Sequence, residues 1–84
     1  MKEDLQIKFN EYELRLKNDV DDQNIIAILN EALDIVKLES DQDAVDFIRP
    51  LLKFASYEII CKLYKGDFSQ EWLIYSNRIK YLVL

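Results

Sequence analysis

Residues 40–66, SDQDAVDFIRPLLKFASYEIICKLYKG, decide the fold because they predict a long helix at the centre of the protein. Ser40 and Asp43 have the spacing of a helix N-cap, and acids in a first turn suit the positive end of the helix dipole. Gly66 predicts the end of the helix, since glycine readily takes the left-handed conformation of a C-terminal cap. Pro50 should kink the helix or restart it at the preceding residue.

The apolar residues of this central helix recur at helical spacing and cover most of its circumference. Glu58 and Lys62, four residues apart, form a favourable pair along the helix. A helix that is apolar nearly all round belongs in the core of a small domain. Its core stripe is Ala44, Ile48, Leu51, Leu52, Ala55, Ile59 and Leu63, extended by Phe47, Phe54 and Ile60.

A second helix is predicted before the central one. Asp21 or Asp22 can cap it, and its apolar pattern ends between Val36 and Leu38. Apolar residues occupy about half of its circumference, which indicates substantial burial. They are Ile25, Ile28, Leu29, Ala32, Leu33, Ile35 and Val36.

The first segment fits two structures. Leu5, Phe9, Tyr12 and Leu16 form one stripe of a helix. The same region also alternates with period 2 on both sides of residues 10–11, which is the pattern of a β-hairpin. The helix is favoured because the turn lacks glycine, the residues are mainly helix formers and a lone hairpin is only marginally stable.

A last helix should begin at Asp67 or Ser69 and run to Leu84. Its inner face is predicted to carry Trp72, Tyr75, Ser76, Ile79, Leu82 and Val83. Residues 1–84 therefore form one all-α domain. The expected architecture is an antiparallel four-helix bundle, and the alternative is an N-terminal β-hairpin followed by three helices.

Composition argues against catalysis. The 84 residues include no histidine, one glycine and one cysteine, Cys61. Without histidine, the usual triads and most transition-metal sites are excluded, and one glycine cannot build a phosphate loop. We expect a protein that is not an enzyme, with no metal, no cofactor and no small-molecule substrate.

The same composition indicates a location. A small secreted domain would usually carry paired cysteines, the first residues lack the pattern of a signal peptide, and no apolar run reaches the length of a membrane span. We therefore expect a cytoplasmic protein.

Charge is divided unevenly along the chain. Residues 1–43 carry 5 Lys or Arg against 12 Asp or Glu, whereas residues 44–84 carry 6 against 4. Most aromatic residues lie in the second part, and an aromatic, mildly basic surface makes a good protein contact. The net charge of −5 and the pI near 4.6 disfavour nucleic-acid binding.

Residues 46–74 resemble one known family. An arginine followed by an aromatic and aliphatic helix, then a Ser-capped helix with a polar start, is similar to the third and fourth helices of the pediocin-like (class IIa) bacteriocin immunity proteins. The positions of that character are Arg49, Phe54, Tyr57, Ser69, Gln70 and Glu71. The resemblance implies a cytoplasmic four-helix bundle that protects a producing bacterium. It would engage, at the inner membrane face, the sugar-transporter receptor jammed by the bacteriocin.

Two functional hypotheses follow. The first is an immunity-type protein whose contact surface surrounds the turn between the central and last helices; Trp72 in this set could equally be core. That surface is predicted to contain Tyr64, Lys65, Phe68, Trp72, Tyr75 and Arg78. Residues 79–84 also suit peripheral contact with an anionic membrane, although their single cation, Lys80, is too little charge for an anchor.

The alternative hypothesis is a small acidic inhibitor, of the antitoxin or anti-defence type, that blocks a basic site on a cytosolic protein. Asp19, Asp21 and Asp22 would provide its charge. Its affinity for the partner should then fall steeply with salt.

Overall fold

Helices build the whole of the described fold. A computed structural model describes the backbone of residues 1–83 and the side chains of residues 1–80. In that part of the chain there are five α-helices and no strand, so the all-α prediction is confirmed and the hairpin alternative is wrong. The helices are α1 (Glu3–Lys17), α2 (Asp22–Val36), α3 (Asp41–Leu51), α4 (Tyr57–Tyr64) and α5 (Gln70–Val83), with a 3-10 turn at Leu52–Phe54.

Packing against α3 explains why the first segment is a helix. Phe9 and Tyr12 of α1 meet Phe47 of α3 edge to face, with ring centroids 5.9 and 6.3 Å apart. The helical stripe places these rings inside and leaves Ile7 and Leu14 outside, 61% and 60% exposed. In the hairpin pattern, Ile7 and Leu14 would instead share one face with the two rings. The tertiary contact therefore decides between the two patterns.

The predicted central helix is divided into α3 and α4. The helix continues through Pro50 to Leu51, so the predicted restart before the proline is wrong. The break falls instead at Ala55, whose backbone is extended. Ser56 then caps α4 by accepting a hydrogen bond from the Ile59 amide at 3.2 Å. Because of this break, the predicted count of four helices is one too few.

The predicted caps and core stripes of the other helices are confirmed. Asp21 caps α2 by accepting from the Gln23 amide at 2.8 Å, and Ser40 caps α3 by accepting from the Asp43 amide at 3.2 Å. Of the seven apolar residues predicted for the buried side of α2, six are buried and Ile35 is half-buried. The most deeply buried side chains are Leu16, Leu29, Val36, Phe47, Ile48, Leu51, Leu63, Trp72 and Ile79.

Ion pairs show how neighbouring helices run. Lys2, just before α1, pairs at 2.9 Å with Glu39 beyond the end of α2, and Arg15 pairs at 2.9 Å with Glu31. The α1 and α2 helices therefore run in opposite directions.

None of the helices in residues 1–83 is long and apolar enough to cross a membrane.

The last helix begins at Gln70, where Ser69 accepts a hydrogen bond from the Glu71 amide at 3.2 Å. Trp72, Tyr75 and Ile79 lie inside as predicted, whereas Ser76 is only half-buried. The side chains of Leu82 and Val83, and all of Leu84, lie outside the described residues.

Gly66 ends α4 as predicted. Its φ of +78° is a left-handed conformation, and its amide donates to the Leu63 carbonyl at 2.9 Å. The next amide, of Asp67, donates to the Lys62 carbonyl at 3.0 Å. These two hydrogen bonds form a Schellman motif, which satisfies carbonyls that the end of the helix leaves without partners.

We expect Gly66→Ala to lower the free energy of unfolding by about 1 to 2 kcal/mol, because an L-residue is strained at positive φ. The new Cβ would also lie 3.3 Å from Cβ of Leu73, which is tighter than usual. Urea denaturation measures the change. Lys65→Ala is the control, since Lys65 is exposed and has right-handed backbone angles, and an equal loss in both variants would contradict the assignment.

Candidate functional site

The six residues predicted to form a contact surface do not lie on one surface. Trp72 and Tyr75 are 0% and 3% exposed, so the surface proposed below excludes them. Tyr64 and Phe68 are half-buried and Lys65 is exposed. The spacing on α5 placed Trp72 and Tyr75 on one face correctly, but that face packs inward.

Trp72 is a core residue that joins α5 to the rest of the fold. Its indole Nε1 donates a hydrogen bond to Oδ1 of Asn30 on α2 at 2.6 Å. Its ring meets Tyr64 and Tyr75 edge to face, at centroid distances of 6.3 and 5.7 Å. Burial of an indole requires a partner for its N–H, and Asn30 supplies it.

Arg78 holds the connection between α2 and α3. Its Nη1 donates to the Lys37 carbonyl at 3.0 Å, and its Nη2 donates to the Glu39 carbonyl. Its Nε forms an ion pair with the carboxylate of Asp41, at the start of α3. These carbonyls follow the last turn of α2, where backbone acceptors lack helical partners. Arg78 therefore stabilises the fold, and its guanidinium is already occupied.

We expect Arg78→Lys to lower the free energy of unfolding by about 1 to 2 kcal/mol, because a lysine ammonium cannot span the two carbonyls and the carboxylate. Thermal and urea denaturation measure the loss. Arg49→Lys is the matched control, since Arg49 is exposed and its guanidinium makes no hydrogen bond among the described residues. Equal stability of the two variants would contradict a structural role for Arg78.

One segment of the chain has a net charge opposite in sign to that of the whole protein. Residues 47–66 carry four Lys or Arg and one acid, a net charge of +3 in a chain of net charge −5. The one acid, Glu58, pairs with Lys62 at 3.2 Å. Arg49, Lys53 and Lys65 have no carboxylate partner among the described side chains. This part of the molecule therefore presents uncompensated positive charge.

Aromatic rings lie among these cations. Tyr57, at the start of α4, is 83% exposed. The ammonium of Lys53 lies 5.2 Å from the ring centre of the half-buried Phe54. Arg49 is close enough to act electrostatically on Tyr64, which links the end of α3 to α4.

We call this set the basic–aromatic surface. It combines one exposed ring, that of Tyr57, and two half-buried rings with positive charge, the combination that suits contact with an anionic partner. It consists of Arg49, Lys53, Phe54, Tyr57, Tyr64 and Lys65.

The half-buried Tyr64 and the buried Tyr75 both have a raised pKa. Burial raises the pKa of Tyr64, and Arg49 opposes this shift in part. Burial raises the pKa of Tyr75 far more.

Within the described residues, no group of three or more His, Cys, Asp or Glu is placed to hold a metal ion.

Stability should fall as the pH rises above about 10, the usual pKa of tyrosine in an unfolded chain. Tyr75 keeps its proton in the folded state because its pKa is raised, whereas the unfolded chain loses it. We expect the stability lost between about pH 8 and about pH 11 to be smaller in Tyr75→Phe. Urea midpoints measured across this range test it, and an unchanged alkaline loss in the variant would contradict it.

The acidic loop between α1 and α2 is the second exposed feature. Asp19 accepts hydrogen bonds from the Asp21 amide at 3.0 Å and from the Asn24 side chain at 3.4 Å. Val20, between the acids, is 97% exposed. Asp19 and Asp21 thus shape the start of α2 while keeping their charge on the surface.

Sequence reasoning left Lys53 and Tyr57 out of the contact surface because it treated residues 40–66 as one buried helix. Two signals in the sequence could have found them. Ser56 is a good N-cap residue, and a helix starting after it turns Tyr57 outward. The excess of cations in residues 47–66 could also have been counted directly.

Comparisons of this chain with protein-family models, with curated proteins and with solved structures found no match.

Proposed function

We propose that this protein is a non-catalytic binding protein of the bacteriocin-immunity type. It acts in the cytoplasm and protects the cell that makes it by engaging a bacteriocin–receptor complex at the inner face of the membrane. The observation that carries the proposal is the basic–aromatic surface, where the exposed Tyr57 ring and the contact of Lys53 with Phe54 occur in a segment of net positive charge on an otherwise acidic protein.

The surface coincides with the family resemblance. Arg49, Phe54 and Tyr57 belong both to the basic–aromatic surface and to the positions that resemble the immunity proteins. Aromatic side chains contribute large contact area with little loss of conformational freedom, and arginine adds a planar charged group. Tyr64 and Lys65, predicted from the sequence to be contact residues, also belong to the basic–aromatic surface.

The proposal includes the architecture that the resemblance implies. The four longer helices, α1, α2, α3 and α5, would form the antiparallel frame. Pairing of Arg78 on α5 with Asp41 at the start of α3 supports opposite directions for that pair. The short α4 would then cross one end of the frame and carry Tyr57.

Protection of sensitive bacteria tests the function directly. Cells expressing the protein would be challenged with pediocin-like bacteriocins one at a time, and survival against one or a few is expected. The variant Lys53→Glu/Tyr57→Ala should lose most of that protection, because both changes fall on exposed parts of the basic–aromatic surface. Cell survival and the amount of folded protein are the measurements.

The matched control is Lys8→Glu/Leu14→Ala on α1. Lys8 is exposed without a carboxylate partner among the described residues, and Leu14 is 60% exposed. This variant should protect as well as the wild type. Absence of protection by well-expressed wild-type protein against the whole panel would contradict the immunity function.

A second candidate function is an acidic inhibitor of a basic cytosolic protein. The exposed Val20 between Asp19 and Asp21 favours it, because an apolar tip within a charged loop can enter a basic site. In that case reversal of these charges, and not the change at Lys53 and Tyr57, would abolish binding. The affinity for the partner would also fall steeply with salt.

A further inference from the structure

An apolar groove runs between α2 and α5. It has a volume of about 270 Å³ and is lined by Leu33 and Lys37 from α2 and by Glu71, Ile74, Tyr75 and Arg78 from α5. Leu33 and Tyr75 are each 3% exposed and form its floor, whereas Ile74 is 64% exposed at its edge. The groove lies outside the basic–aromatic surface.

Ile74 is exposed in an unusual setting. Ile7 on α1 has nearly the same exposure, 61%, but the helix neighbours on its face are Glu3, Asn10 and Glu11, all exposed. Ile74 instead stands beside an apolar groove. An exposed isoleucine next to an apolar groove is the arrangement expected where an apolar surface is covered by a partner.

The two ends of the groove carry opposite charges. Glu71 marks one end of the α5 face and Arg78 marks the other, seven residues away or about 10 Å along the helix. Ile74 lies midway between them. Lys37 adjoins Arg78, since the Arg78 side chain donates to the Lys37 carbonyl at 3.0 Å.

We propose that a second copy of this chain covers the groove, with the two α5 helices antiparallel about a two-fold axis near Ile74. In a two-fold interface the same surface meets itself, so it must be complementary to its own rotated image. Rotation about Ile74 places Glu71 of each copy near Lys37 of the other. It also sets each Ile74 against the apolar floor of the opposite groove.

Lys37 is the cation available to the second copy. Arg78 already pairs with Asp41 and with two carbonyls. Lys37 pairs with Asp34 at 3.2 Å, but both side chains are more than half exposed, so this pair is weak and can be exchanged for another. Glu71 has no cation partner among the described side chains.

The mass of the full chain, measured by sedimentation equilibrium from roughly 10 µM to roughly 1 mM, tests the proposal. The monomer mass is 10.0 kDa, and we expect the mass to rise toward twice that value. Ile74→Glu should remain monomeric at every concentration. Ile7→Glu, with the same change at nearly equal exposure on α1, should associate like the wild type.

A charge exchange tests the orientation independently. Glu71→Lys should weaken the association at least about tenfold, because it places two lysines together at each end of the interface. Adding Lys37→Glu to Glu71→Lys should restore it. Circular dichroism of each variant verifies that the helices are intact.

Three results would each overturn the proposal. The first is a wild-type mass that stays at 10.0 kDa over the whole range. The second is association that persists in folded Ile74→Glu. The third is a double charge variant that stays as weakly associated as Glu71→Lys alone.

Discussion

The arrangement of the helices depends on the packing of Trp72 in the core. The indole is fully buried, so its apolar surface is removed from water. Its one polar group, the N–H, donates a hydrogen bond to Asn30 on α2. Tyr64 and Tyr75 pack edge to face on the same ring, so α4 and α5 meet at this point. Arg78, two turns later on α5, then reaches the connection between α2 and α3. Docking of α5 therefore ties together the ends of three other helices.

The break at Ala55 and Ser56 has the largest functional consequence. A continuous helix over residues 40–66 would be apolar nearly all round and would belong entirely in the core. Capping by Ser56 begins a new helix and turns Tyr57 into solvent, where it is 83% exposed. The same break leaves Lys53 beside Phe54 at the surface. The proposed contact surface thus includes residues from a segment whose apolar pattern alone suggests burial.

The acids and cations serve different purposes in the two parts of the chain. Several acids of the first part cap helices or form exposed ion pairs, and such pairs contribute little to stability. Three cations of residues 47–66 have no carboxylate partner among the described side chains, so their charge is available to a partner. This local excess, and not the overall charge of −5, defines the candidate binding surface. It also explains why an acidic protein can offer a basic face.

Local signals in the sequence by themselves determined the cap of α3 at Ser40, the end of α4 at Gly66 and, to within one residue, the cap of α2 at Asp21. Each depends on neighbours within one helical turn, which the sequence states directly. Tertiary structure decided that residues 3–17 are helical, because two periods fitted the sequence and only the helix packs Phe9 and Tyr12 against Phe47 while it leaves Ile7 and Leu14 exposed. It also chose the core over the contact surface for Trp72 and made Arg78 a structural residue, because both roles need partners about 40 residues away in the chain. Sequence spacing places such residues on a helix face, but whether that face meets solvent or another helix depends on how the helices pack.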